Sequence, residues 1–362
     1  MAKVILAAGG TGGHIFPALA VAEILETAGH QVILFTDKRG VAMVDGKITY
    51  RQISSASPFN SGLLSKLTGL IRLAFGLLQS LASFALSRPA CVIGFGGYPS
   101  LAPLMAGRLM GAKCILHEQN AIMGRANRLL GKFAHHIALT FADTKGAPQT
   151  CPQAITGLPV RGQFHEIAAY QPSDSCHITI IGGSLGAQIF ADIVPEAISQ
   201  LRPSDKRTIR ISQQCRDEHV SLLQQAYKAL GVKAEVARFY HDMADLYRRS
   251  DIIISRAGAS SVAEIASAGR PSILVPFAGA LDDHQTGNAR QLSDQGGAYL
   301  IAEKDASADK LAAILSVLIS QPDKRTKMAE TAKTLSEEGA ASAIAGLTGL
   351  PLSTSAVTGE VQ

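Results

Sequence analysis

Ile252-Ile-Ile-Ser-Arg256-Ala-Gly-Ala-Ser-Ser261 reads as a buried strand that breaks into a small-residue turn and re-enters the chain as a helix, which Gly269-Arg-Pro271 stops. Such a turn leaves backbone N–H groups unpaired at the helix start, and these bind anions. Arg256 stands where a guanidinium can meet a phosphate. Glu264, about two turns into the helix, stands where a carboxylate can hold a sugar diol. Together they suggest a nucleotide. After the next apolar run, Ser272-Ile-Leu-Val-Pro276, comes Asp282-Asp-His-Gln-Thr-Gly-Asn-Ala289, a polar stretch leading into another helix. The plainer alternative is two ordinary strand-to-helix loops with capping residues. Arg256, Glu264, His284, Gln285 and Asn288 exceed what caps require.

The same strand, glycine turn and helix recur along the chain. Lys3-Val-Ile-Leu-Ala-Ala8 runs into Gly9-Gly-Thr-Gly-Gly-His14, and His177-Ile-Thr-Ile-Ile181 runs into Gly182-Gly-Ser-Leu-Gly186, close to half the chain length later. The first loop is not in register for a nicotinamide dinucleotide fingerprint, because Ile15 stands where a small residue is needed. Gln31–Thr36, Cys91–Gly94 and Cys114–His117 are further buried strands, the last two ending in Gly94-Phe-Gly-Gly-Tyr98 and His117-Glu-Gln-Asn120. Parallel strands that alternate with helices place their loops, and hence their sites, at the carboxyl ends of the strands. The expected fold is α/β, with two similar Rossmann-like halves joined near Gly157-Leu-Pro-Val-Arg161.

With 362 residues, 47% hydrophobic and 17% charged, the chain suits two globular domains. Five cysteines without metal spacing, and an N-terminal apolar run too short for a signal peptide, lead us to expect a reduced cytoplasmic protein. The net charge of +5 is unevenly spread. Residues 46–142 carry ten bases against one acid, Glu118. A basic half points to a polyanion. Nucleic acid is disfavoured by the lack of interleaved aromatics, which leaves an anionic membrane surface. The strongly apolar segment Ser61–Ser87 is expected to form a helix. Leu63, Leu67, Leu70, Ala74, Leu77 and Leu81 should form its buried stripe, with Lys66, Arg72, Leu73 and Phe75 towards a membrane surface. The uncharged run Leu73–Ser87 reads as too short and too polar to span a bilayer. The Ser/Thr-rich tail 353–362 is expected to be disordered.

In this order, the glycine loops at 9–14, 94–98 and 182–186, His117-Glu-Gln-Asn120, Arg256-Ala-Gly-Ala259 with Glu264, and His284-Gln285 with Asn288 closely resemble the MurG family. These are the UDP-N-acetylglucosamine:lipid I N-acetylglucosaminyltransferases of peptidoglycan synthesis. The resemblance implies the GT-B arrangement, two Rossmann-like domains facing a cleft. Residues 1–158, with a C-terminal helix near 336–350 packing back on them, would bind the acceptor and the membrane. Residues 159–335 would bind UDP-GlcNAc. It implies inverting transfer of GlcNAc to the 4-hydroxyl of MurNAc in lipid I, at the cytoplasmic face of the inner membrane, with no cofactor and no metal.

Matching positions would assign His14 as general base and put Thr11, Gly12, Gly13, Gly96, Gly97, Tyr98, Glu118 and Asn120 on the acceptor side. Glu264 would hold the ribose, with Tyr240 and Met243 flanking the uracil. Arg161, Gly183 and Ser184 would approach phosphates or sugar, and His284 and Gln285 the GlcNAc hydroxyls. The departing diphosphate would be met by Arg256 and the helix starts at Ser184 and Ala259, and Ser260 and Asn288 would also belong to the donor side. Leu158, Ala191 and Gln213-Gln-Cys-Arg216 depart from the family pattern. Other readings are a diacylglycerol glycosyltransferase, a UDP-GlcNAc 2-epimerase or a non-catalytic nucleotide-sensing module.

Overall fold

The computed structural model describes residues 1–44, 46, 48–56, 63–173, 175–183 and 186–352. Ser184 and the tail 353–362 therefore lie outside the described residues, as do Ser61 and Gly62 of the expected membrane helix. The chain forms two compact units. One is Met1–Arg161 with the C-terminal segment from Glu337, and the other is Gly162–Ser336.

The first unit is built on seven parallel strands: β1 Lys3–Ala7, β2 Gln31–Thr36, β3 Tyr50–Gln52, β4 Cys91–Gly94, β5 Lys113–Glu118, β6 His136–Leu139 and β7 Gln153–Ile155. They lie in the order β3-β2-β1-β4-β5-β6-β7. Alternate residues of β1 serve opposite faces, as the two-residue repeat of a strand requires. Val4 and Leu6 pack with Ile15, Ala18 and Val21 of the helix Gly12–Thr27, and with Ile344 and Ala345 of the helix Ala340–Gly346. Ile5 and Ala7 pack on the other side with Phe84, Leu101 and Leu104. The returning C-terminal segment is also tied by His30, whose Nε2 lies 2.7 Å from the carbonyl oxygen of Pro351.

The second unit holds six parallel strands: β8 His177–Ile181, β9 Arg210–Gln214, β10 Lys233–Ala237, β11 Ile252–Ser255, β12 Ser272–Leu274 and β13 Ala298–Leu300. Their order is β10-β9-β8-β11-β12-β13. In each sheet the order reverses beside the first strand of the unit, between β1 and β4 and between β8 and β11. Ligands of open α/β sheets bind at such a reversal. Arg270 is buried in this unit with no direct carboxylate partner among the described residues. It donates instead to the carbonyls of Tyr247 (3.0 Å), Arg248 (3.1 Å), Ala268 (2.8 Å), Gly269 (3.1 Å) and Ala168 (3.3 Å). It thereby closes the C-terminal ends of the helices Met243–Arg248 and Ala259–Ala268.

The helix Leu63–Leu86 corrects the sequence reading of its faces. Its inward side carries Gly76, Ser80 and Phe84, with Leu73, Leu77 and Leu81 half-buried against the core. Phe84 meets Phe35 with ring centroids 5.6 Å apart. Gln79 accepts from the Ser54 N–H through Oε1 at 2.9 Å. Leu67, Leu70 and Ala74, expected inside, are exposed together with Ile71, Phe75 and Leu78. Leu73 faces the protein rather than a membrane. The cause is composition: this helix is apolar nearly all round, so its periodicity admits more than one stripe. From Lys66 to Leu86 it is also long and apolar enough, by length and composition alone, to cross a membrane.

Candidate active site

In the first unit, Thr11 precedes the helix Gly12–Thr27 in extended conformation, and Gly12 and Gly13 form the helix's opening turn. His14 Nδ1 lies 3.0 Å from the carbonyl oxygen of Gly9 and 3.4 Å from Thr11 Oγ1. A carbonyl oxygen only accepts, so Nδ1 carries the proton of the neutral ring and Nε2 presents its lone pair. That is the tautomer a general base needs. The loop after β4 is brought against this ring. Gly96 has φ +87°, and a Cβ there would stand 3.2 Å from His14 Cδ2 and 3.3 Å from Nε2, so a side chain would crowd the imidazole. Gly97 follows at φ +74°, and Tyr98, half-buried, opens a short 3₁₀ turn.

Two residues missed in the sequence knit these loops. Ser100 Oγ contacts the carbonyls of Ala7 and Gly96, each at 2.7 Å, and Asp37 Oδ1 accepts from the N–H groups of Gly10 (3.3 Å) and Gly40 (2.9 Å). A buried Ser six residues beyond a strand, or an Asp just after one, is their only sequence mark.

Glu118 is a correction. Its buried carboxylate accepts from Asn120 N (2.9 Å), Asn120 Nδ2 (3.1 Å), Gly124 N (3.0 Å) and Asn127 Nδ2 (2.8 Å). With both oxygens so occupied, Glu118 shapes the loop that carries Asn120 and is not left to bind an acceptor. His117 is fully buried, and desolvation holds its pKa down to about 4, so it is neutral at physiological pH. Arg161 falls in this first unit, where its guanidinium lies 4.8 Å above the ring of Phe16.

In the second unit, the turn after β8 requires glycine. A Cβ on Gly182 would come within 2.2 Å of the Ala187 nitrogen, and Gly183 adopts φ +78°. The described helix starts at Gln188 rather than at Ser184. Ala259 and Ser260 open the helix Ala259–Ala268, on which Glu264 is half-buried.

Arg256 is not the free cation expected for a phosphate. It pairs with Glu303, donates to the carbonyls of Val275 and Pro276 at 3.2 Å each, and lies between the rings of Phe190 (5.5 Å) and Phe277 (5.3 Å). Gln285 Oε1 accepts from the N–H groups of Ala257 (3.2 Å) and Phe277 (3.0 Å), clamping the loops after β11 and β12 together. Asn288 is also corrected. It is fully buried and donates to the Ala257 carbonyl at 3.2 Å, so it holds the turn from inside. Just before His284, which begins the helix His284–Ser293, Asp282 and Asp283 both have positive φ, 54° and 55°. Non-glycine residues held there store backbone strain, and such strain clusters at ligand loops.

Tyr240 does not offer its ring to a base. It is 8% exposed, its hydroxyl donates to the Glu235 carbonyl at 2.8 Å, and burial pushes its pKa up. The adjacent Phe239 is 61% exposed, edge-on to His241 at 5.1 Å. Met243 is half-buried at the first position of the helix that Asp242 caps. Among the described residues no group of three or more His, Cys, Asp or Glu side chains is placed to hold a metal ion.

Residues 4–139 match the glycosyltransferase family 28 N-terminal domain, and residues 177–344 match the family 28 C-terminal domain. The chain is 40% identical to the UDP-N-acetylglucosamine–N-acetylmuramyl-(pentapeptide) pyrophosphoryl-undecaprenol N-acetylglucosamine transferase of Paramagnetospirillum magneticum, over 95% of each chain. It is 43% identical to the transferase of that name from Bartonella quintana, over 91% of this chain and 89% of the relative. The crystal structure of Acinetobacter baumannii MurG superposes with a TM-score of 0.80 at 30% identity, covering 96% of this chain and 99% of that one. A UDP-N-acetylglucosamine 2-epimerase structure from Listeria monocytogenes, at 14% identity and a TM-score of 0.66, shares the fold alone. Two all-parallel α/β units with glycine turns where their strand orders reverse, matched by both halves of family 28, define a glycosyltransferase of GT-B fold. Within that class, the chain belongs to the MurG family of N-acetylglucosaminyltransferases.

Proposed function

We propose that the protein transfers GlcNAc from UDP-GlcNAc, with inversion, to the 4-hydroxyl of MurNAc in lipid I, giving lipid II and UDP in peptidoglycan synthesis. The names of its relatives support the substrates, and one observation carries the chemistry: the Nδ1–Gly9 bond that leaves His14 Nε2 as the basic nitrogen. His14 Nε2 takes the proton of the acceptor hydroxyl. The oxygen's electron pair then bonds the anomeric carbon, and the bond to the diphosphate breaks with its pair leaving on UDP. Because Glu303 already compensates Arg256, the backbone N–H groups at Gly182 and Gly183 and of the helix start at Ala259 and Ser260 meet the leaving charge. Thr11, Gly12, Gly13, Gly96, Gly97, Tyr98 and Asn120 shape the acceptor side. Phe239 and Met243 border the base, Gln285 and His284 the sugar, and Glu264 the ribose. UDP release from UDP-GlcNAc should require lipid I. Release or epimerisation at full rate without an acceptor would replace this reading with the epimerase one.

If Glu264 receives both ribose hydroxyls, Glu264→Gln should weaken UDP binding by about 1–3 kcal/mol. Titration calorimetry reads this directly, and an unchanged affinity would take Glu264 out of the site.

The first unit docks on the anionic cytoplasmic leaflet through the exposed face of the helix Leu63–Leu86. Leu67, Leu70, Ile71, Phe75 and Leu78 lie open beside Lys66 and Arg72. Each base near such a surface contributes about 1 kcal/mol, screened by salt, whereas apolar insertion depends little on salt. Binding to anionic vesicles should weaken as salt rises, and Phe75→Ser with Leu78→Ser should weaken it at every salt concentration. Equal partitioning to neutral and anionic vesicles would remove the electrostatic part.

A further inference from the structure

Gln119, in the loop leaving β5, is 2% exposed, and its partners fix its orientation. Nε2 donates to the carbonyl of Phe95 at 2.5 Å and lies 3.2 Å from His117 Nδ1. The Phe95 oxygen only accepts, so the atom facing it is the amide nitrogen. His117 Nε2 lies 3.1 Å from the carbonyl oxygen of Gly157, which also only accepts. The neutral His117 ring therefore carries its proton on Nε2, and its Nδ1 receives the second amide proton of Gln119. Both protons are committed. The carbonyl oxygen Oε1 is then fixed at the other side of the amide, buried, with no hydrogen-bond donor among the described residues.

A buried acceptor without a donor is costly and calls for an explanation. Its neighbourhood supplies one. The position a Cβ would take on Gly96 lies 3.4 Å from Gln119 Oε1 and 3.3 Å from His14 Nε2. The oxygen and the basic nitrogen thus border the same atom-sized space, open because residue 96 has no side chain.

We propose that Gln119 is a positioning residue for His14: its amide oxygen, on the Nε2 side of the ring, stabilises the imidazolium formed when His14 takes the acceptor's proton. Its part in transfer rests on the functional reading above. In the neutral ring only Nδ1 bears a proton, and Gly9 receives it. In the cation both nitrogens do, and the second N–H turns towards Gln119 Oε1. The charged and titratable groups around this loop cluster are Asp37 with its ion-pair partner Arg39, Tyr98, His117 and Glu118. His117 is neutral and Glu118 is occupied by its four donors, and all five residues are retained when Gln119 alone is changed.

The test is the titration of His14 by NMR in the free full-length enzyme, its resonance assigned by loss in His14→Gln. Gln119→Met keeps the bulk and removes the oxygen. It should lower the His14 pKa by about one unit, a roughly tenfold loss of proton affinity. The acid limb of the kcat/KM profile should move with it, while UDP affinity stays as in the wild type. An unchanged or raised His14 pKa overturns the proposal. Should Gln119→Met fail to fold, wild-type ¹⁵N shifts decide: His14 Nε2 must be the unprotonated nitrogen at high pH, and its proton at low pH must exchange slowly. A protonated Nε2 at high pH, or free exchange at low pH, overturns it. A pKa drop in the variant, with no transfer to lipid I by the wild type, would refute the functional reading and leave the role of Gln119 standing.

Discussion

His14→Ala should lower turnover with lipid I by about 10²–10⁴-fold, the usual worth of one well-placed general base. The expectation rests on a tautomer set by geometry, since the Gly9 carbonyl holds the proton on Nδ1 and leaves Nε2 to the acceptor. UDP binding should be unchanged, because Phe239, Met243, Ala259, Ser260, Glu264, His284 and Gln285 of the proposed donor side belong to the other unit. Single-turnover kinetics beside UDP calorimetry separates the two effects. Turnover near the wild-type rate would move the search for the base to another residue. A parallel loss of UDP affinity would mean that the substitution had disturbed more than the base.

Arg270→Leu should destabilise the second unit by about 3–5 kcal/mol. The guanidinium is nearly inaccessible and donates to five carbonyls, four of them at the C-terminal ends of two helices, where only the Tyr247 oxygen also accepts from a backbone N–H among the described residues, that of Ser250 at 3.1 Å. Leucine fills the space and takes the donor from the oxygens of Ala168, Arg248, Ala268 and Gly269, while Tyr247 keeps the Ser250 N–H. Arg270→Lys should lie between, because one ammonium cannot reproduce a planar fork. Urea unfolding followed by a probe in residues 162–336 reads the loss, and a change below about 1 kcal/mol would contradict the capping role.

The strand, glycine and helix rhythm was legible because each piece is local. Short apolar runs mark buried parallel strands, and the described strands β4, β8 and β11 end where those runs end, with β1 and β5 within one residue of them. What escaped depends on partners far along the chain. Arg256 looks like a phosphate ligand until Glu303 is placed beside it, 47 residues on. Asn288 looks like part of an exposed polar run until the turn at Ala257 closes over it. Tyr240 and Phe239 differ by one position, and which ring stays outside depends on how the chain leaves β10. The faces of the helix Leu63–Leu86 could not be told apart by period, because leucine, isoleucine and phenylalanine occupy nearly every side of it. Gln119 lies inside a motif the sequence displayed, yet only its two hydrogen-bond partners show which way its amide is turned.

The segment from Glu337 onward makes the first unit discontinuous, and this matters on the ribosome. Domains generally fold as units in the order they emerge. Here the order is inverted for completion. All six strands of the second unit are synthesised before the helix Ala340–Gly346, whose Ile344 and Ala345 fill the core beside Val4, Leu6 and Ile15. Until that helix arrives, the nascent first unit must carry an uncovered apolar seam along the helix Gly12–Thr27. A chain stalled or truncated before residue 340 should thus hold a finished second unit and an unfinished first one, and should be drawn to chaperones through its N-terminal rather than its C-terminal half.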